Sequence, residues 1–148
     1  MIQASAIAAV LGGPRSLKRR IASDEDLRRA VEDGFPVGVL GELARAYAVD
    51  KAPERRAALM AHIAPSATLK RRVRGKSLRP AESERAARLA RVYALARFAF
   101  DDDAFARRFL FAPHRELGGD APAARAGSEI GARQVETILW SLVHGLPA

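Results

Sequence analysis

The side chains able to do covalent or metal chemistry are few in this 148-residue chain, and they are scattered. There is no cysteine, so there is no thiol nucleophile, no thiolate ligand and no disulfide framework. The three histidines, His62, His114 and His144, form no i, i+4 pair and have no carboxylate at ligand spacing. Serines, histidines and acids occur, yet no nucleophile elbow organises them. Asp101-Asp102-Asp103 offers three carboxylates in a row, but consecutive residues at a helix start point in different directions. Capping the following helix is their simpler role. Leu117-Gly118-Gly119-Asp120 is too short for a phosphate loop and lacks the following Lys-Ser/Thr. The expectation is a protein that is not an enzyme and holds neither metal nor cofactor.

Charge points instead to binding. Residues 1–100 carry 20 Lys and Arg against 10 Asp and Glu, whereas residues 101–148 carry 5 against 7. A basic first part and a slightly acidic second part suggest two tasks, one involving a polyanion. The cations concentrate between Pro65 and Arg79, where Lys70, Arg71, Arg72, Arg74, Lys76 and Arg79 occur without one acid. On a helical wheel Leu69 and Val73 share an apolar underside, with Ala67, Lys70, Arg71 and Arg74 roughly opposite. A short helix of this kind can stand on a core and present long donors to phosphates and guanine edges. A helix from about Pro53 to His62, joined through Ile63-Ala64-Pro65, would complete a helix-turn-helix. Ala67, Thr68, Lys70, Arg71, Arg74 and Lys76 are the candidate DNA-contacting residues.

The elements that must position these residues read as helices throughout. Hydrophobic residues make up 49% of the chain, Ala, Leu and Arg are frequent, and Val, Ile, Tyr and Thr never alternate. The fold class expected is all-α. Met1 to Leu11 is apolar but too short to span a bilayer, and its basic residues follow rather than precede it. It reads as a helix closed by Gly12-Gly13-Pro14, and a cytoplasmic protein is expected. Ser23 starts the next helix with acids in its first turn. Gly34-Phe35-Pro36 makes a turn, Val39 to Tyr47 is a helix, and Pro53 opens another. A long helix runs from about Ala81 to Phe100, with Leu89, Val92, Ala96 and Ala99 along one line. It would join the two halves rigidly, giving domains at 1–79 and 80–148.

From Asp101 to Gly145 the sequence reads helix, broken loop, helix. Ala104, Phe105, Phe109 and Leu110 give the first helix an apolar face, and Pro113 ends it. Gly118-Gly119 and Pro122 force turns. The second helix begins near Ser128, with a core face of Gly131, Val135, Ile138, Leu139 and Leu142. Trp140 falls on its polar side with Glu129, Arg133 and Glu136, either covered by the Gly-Gly loop or used as an interface anchor.

This stretch carries Ala106-x-x-Phe109-Leu110-x-x-Pro113-x-x-x-Leu117-Gly118-Gly119-x-x-Pro122, then Gly131-Ala132-Arg133-x-Val135-x-x-x-Leu139 and a closing His144-Gly145. It resembles the toxin-binding domain of Xre/MbcA/ParS-type antitoxins, the partners of RES-domain toxins. Gly12-Gly13, Gly34-Phe35-Pro36, Thr68-Leu69-Lys70-Arg71-Arg72 and Glu82-Ser83-Glu84-Arg85 follow the same family's order, so the likeness runs from Val10 to Gly145. Two departures stand out: Phe109-Leu110 replaces the family's usual Trp-Leu, and the segment after Pro122 is Ala-rich rather than Leu-rich.

The resemblance implies an Xre-like helix-turn-helix followed by a small helical domain for toxin binding and dimerisation. It implies a homodimeric type II antitoxin that covers the active site of a toxin consuming NAD⁺ or ADP-ribosylating a protein, and that represses its own operon on operator DNA. The toxin-binding residues expected are Pro113, Leu117, Gly118 and Gly119 from the motif and Arg133, Trp140 and His144 from wheel position, with Gly145 and Leu146 at the close. The alternative is a free-standing Xre-type transcription regulator whose second half only dimerises or senses a small ligand. A third possibility is a structural helical protein without DNA affinity.

Overall fold

A computed structural model describes residues 1–145, which form helices and their connections, with an isolated antiparallel β-bridge between Pro36 and Ser77. Helices α1 (Ala4–Val10), α2 (Gly13–Leu17), α3 (Asp24–Asp33), α4 (Gly38–Ala46), α5 (Pro53–Ala61) and α6 (Ser66–Gly75) precede the 21-residue α7 (Pro80–Phe100). Then follow α8 (Asp103–Phe111), a 3-10 turn at Arg115–Leu117, α9 (Pro122–Arg125) and α10 (Glu129–Val143). The all-α expectation is borne out.

The helix starts obey local chemistry. Ser23 accepts a hydrogen bond from the Asp26 N–H, Asp102 from Phe105 and Ser128 from Gly131, each satisfying an otherwise orphaned donor. The three adjacent aspartates do separate things: Asp101 closes α7 in a left-handed conformation (φ 51°), Asp102 caps α8, and Asp103 accepts from the Tyr93 hydroxyl. Two short helices are additional to the sequence reading. Gly12-Gly13-Pro14 ends α1 but also opens α2, with Pro14 in its first turn. Pro122 likewise starts α9.

Helix α7 is the centre of the fold. Ala86, Leu89, Ala90, Val92, Tyr93, Ala94, Leu95 and Ala96 are all buried, so it is covered on nearly every side rather than along one line. Helices α1, α3, α4, α8 and α10 pack on it, and its alanines let their backbones come close. The Tyr47 hydroxyl, just past the end of α4, donates to the Leu89 carbonyl at 2.7 Å, fully buried, and its ring meets Tyr93 and Phe111. Residues from both ends of the chain thus share one continuous core. No helix among the described residues is long and apolar enough to cross a membrane.

Three sequence motifs converge where α7 begins. The Phe35 N–H donates to the Ser83 hydroxyl, which donates to the Arg79 carbonyl. The Leu78 N–H reaches the Phe35 carbonyl and the Val37 N–H the Lys76 carbonyl. Gly34 sits at φ 85°, and a Cβ there would strike the Leu78 carbonyl oxygen, so both space and backbone require glycine. Arg72 of α6 forms a two-point pair with Glu82, whose carboxylate also accepts the Arg79 N–H.

Candidate interaction surfaces

The basic helix α6 is mounted on this node. Leu69 is its buried apolar residue, Arg72 ties it to Glu82, and Arg85 Nη1 fixes the preceding joint by donating to the Ile63 carbonyl at 3.0 Å. Val73, expected beneath the helix, is 58% exposed. The apolar contact stops at Leu69 because the ion pair of Arg72, not a second apolar turn, holds the rest of α6 down. Burial works against the ionised Glu82, yet the hydrogen bonds from Arg72 and the Arg79 N–H hold its carboxyl below the usual glutamate range.

With Arg72 so engaged, the outward face of α6 consists of Ala67, Lys70, Arg71 and Arg74, all exposed, with Lys76 just past its end. Thr68 is half-buried and its hydroxyl accepts from Arg71 at 3.3 Å. None of Lys70, Arg71, Arg74 and Lys76 is among the residues forming ion pairs in the described chain. Helix α5, the joint 62–65 and α6 are thus consecutive, and the second of the two helices carries an outer face of cations without ion-pair partners among the described residues.

A second surface is built by α8, α9, α10 and the loop between. Arg125 of α9 grips that loop: it donates to the Leu117 carbonyl at 2.7 Å, to Asp120 at 2.8 Å and to Gln134 of α10 at 2.8 Å. The His114 ring nitrogen accepts from the Glu116 N–H, and the His114 carbonyl accepts from Gly119. Gly118 and Gly119 take φ values of 64° and 90°, the turn the Leu-Gly-Gly motif exists to make. Pro113, Gly118 and Gly119 lie outward. Leu117 does not: at 1% exposure it is a core residue that holds the loop from beneath.

Helix α10 runs beside α7 in the same direction, joined by Arg88–Glu129, Arg91–Glu129 and Arg91–Glu136 and, further along, by Phe98 against Trp140. Trp140 is half-buried; its ring lies 6.2 Å from Phe98, centroid to centroid, and 5.8 Å from a stacked His144. Arg133, Trp140 and His144 share one stripe of α10, and Arg133 and His144 are exposed. Gly145 follows at φ 68°, exposed, and Leu146 lies outside the described residues.

Leu142, expected in the core, is 41% exposed, one residue from the end of α10. In α8 the buried residues are Ala106 and Leu110; Ala104 and Phe105 face outward, while Phe109 is half-buried between Phe100 and His114. Sequence reasoning missed Phe98 and Arg125. Phe98 fell off the apolar line read along α7, and nothing in the sequence marks Arg125 as a clasp.

The two surfaces are joined through α5 and α9. The His62 Nε2 lies 3.1 Å from the Ala123 carbonyl, and a Cβ at Gly127 would collide with the imidazole. Burial pushes the His62 pKa below its ordinary value, with the Ala123 carbonyl partly opposing. Among the described residues no group of three or more His, Cys, Asp or Glu is placed to hold a metal ion.

Residues 95–145 match the family model described as the antitoxin Xre/MbcA/ParS C-terminal toxin-binding domain. The resemblance to Xre/MbcA/ParS-type antitoxins read from the motifs is thereby borne out, over the last third of the chain; the motifs from Gly12 to Arg85 lie outside the matched segment. No curated protein matches the chain.

Proposed function

We propose, from a C-terminal segment that matches a toxin-binding antitoxin domain, that the chain is the antitoxin of a type II toxin–antitoxin pair whose toxin carries a RES domain. Toxin binding is assigned to the surface of α8 to α10. The observation that carries the reading is the match over residues 95–145, and it coincides with an outward surface of firmly held parts. Pro113, Gly118 and Gly119 stand on a loop clasped by Arg125, and the Arg133–Trp140–His144 stripe lies on α10 next to Gln134, which the same arginine holds. A half-buried Trp stacked on His and backed by Phe is the kind of rigid anchor that dominates protein interfaces. Gly145 and Leu146 are assigned to the same contact from the sequence, Leu146 lying outside the described residues. Covering the entrance of the toxin's cleft with such a surface would deny NAD⁺ access and silence either NAD⁺ consumption or ADP-ribosylation.

Autorepression is assigned to the basic half, residues 1–79, through Ala67, Thr68, Lys70, Arg71, Arg74 and Lys76 on operator DNA, with a homodimer matching a two-fold operator. The residues from 80 onward provide the toxin-binding and dimerisation part, sharing one core with the first. The test is the adjacent reading frame, where a RES-domain protein is expected, and co-expression of the chain with that protein. A stable complex and rescue of growth are expected; independent purification of the two proteins with continued toxicity would leave the rival, a free-standing regulator.

A further inference from the structure

We infer that the groove between the α4–α5 turn and helix α8 is a binding site for a compact oligophosphate, a ligand that neither toxin binding nor operator binding calls for. The groove measures about 400 Å³ and is lined by Arg55 of α5, Arg107 and Arg108 of α8, the Phe111 ring and Ala48. No carboxylate lines it, and none of the three arginines takes part in an ion pair among the described residues. Three like charges facing one concavity repel one another, and a multivalent anion relieves that repulsion.

The guanidiniums are already held. Arg55 lies 5.0 Å from the Phe111 ring centroid and Arg108 lies 4.9 Å from that of Phe105. Arg107 donates its Nε to the Ala46 carbonyl at 2.9 Å, which leaves its Nη1 free for a ligand. Ala48 adopts φ 56°, a left-handed conformation that favours glycine, and so turns the chain away after α4. That turn exposes the last carbonyls of α4 to Arg107, whose side chain then stands at the groove wall. Because these side chains are supported by rings and carbonyls, little of their rotamer freedom remains to be lost on binding.

Arginine forks match phosphate oxygens two at a time, and those of Arg55 and Arg108, with the one free Arg107 nitrogen beside them, exceed what a single carboxylate can fill. The convergence of forks from two elements on one concavity suits a compact ligand. A phosphodiester backbone would instead match a row of cations along one helix, as on α6.

The experiment is calorimetric titration of the 148-residue chain with inorganic pyrophosphate, alongside a short DNA duplex. Saturable one-to-one pyrophosphate binding is expected, weakened at least about tenfold in R55Q/R108Q and also weakened in R55K/R108K, where charge remains but the fork is lost. The K70Q/R71Q/R74Q variant should bind pyrophosphate as the parent does while losing the duplex. Arg55 and Arg108 are exposed, and unchanged melting of their variants establishes that the fold is intact. Absence of saturable pyrophosphate binding, or equal binding by R55Q/R108Q, would overturn the assignment. So would a pattern in which R55Q/R108Q loses the duplex but not pyrophosphate, which would make the groove a DNA contact.

Discussion

Arg72 and Glu82 meet across the junction of α6 and α7 in a two-point pair, Nε to Oε1 at 2.8 Å and Nη2 to Oε2 at 3.1 Å, with side-chain exposures of only 18% and 8%. One arginine of a strongly basic run is thus withdrawn from the surface, and it is the one that orients the others. Removing the carboxylate leaves a poorly hydrated guanidinium unpaired and the Arg79 N–H without its acceptor. Glu82→Ala should cost about 3 kcal/mol of stability, read by denaturant unfolding. Arg72→Met, which removes the charge but keeps the bulk, should lower stability in the same measurement, because Glu82 is then the stranded partner.

The same pair sets an acid limit. The Glu82 carboxyl is held below its ordinary value in the folded chain, so its contribution is fully present above the unfolded glutamate pKa and is lost as pH falls through the folded one. Unfolding measured from neutral pH down through the carboxylate range should show a shallower acid slope in Glu82→Gln than in the parent.

His62 acts at higher pH. Its folded pKa lies below the ordinary 6.5, so the unfolded chain binds the extra proton first. Stability should decline as pH falls from about 6.5 towards the folded pKa and level off below it. In His62→Gln, which keeps a donor for the Ala123 carbonyl, that decline should vanish.

These relationships divide what was legible in the sequence from what was not. Caps at Ser23, Asp102 and Ser128 and the turn at Gly34-Phe35-Pro36 follow from chemistry within four residues, and sequence patterns carry such information directly. The convergence of that turn with the α6 arginines and the Glu82-Ser83 helix start is tertiary: Phe35 and Ser83 are 48 residues apart. Likewise α7 reads as a one-sided helix because alanine gives little periodic signal, yet its alanines are what let helices pack around it. Val73, Phe105 and Leu142 carry the right period and still face outward, since a wheel shows which residues share a face and not where the neighbouring helix ends. Leu117 was legible as part of a motif but not as its buried prop.

Operator binding should depend on salt in proportion to the phosphates neutralised. Replacing Lys70, Arg71 and Arg74 with Gln should reduce the slope of log affinity against log salt by about 0.9 for each phosphate left without its cation, or roughly three units in all. Unchanged slope with unchanged affinity would remove α6 from the DNA interface.

The most direct measurement of the central claim is the affinity of the 148-residue chain for the proposed RES-domain toxin, parent against Trp140→Ala, with the toxin's NAD⁺ turnover followed in the same mixtures. The parent should form a tight complex and abolish turnover. Trp140→Ala, its fold checked by unchanged helicity and melting, should lose about 2–4 kcal/mol of binding and release the activity in parallel. A toxin that keeps turning over NAD⁺ while saturated with the parent chain would contradict the account.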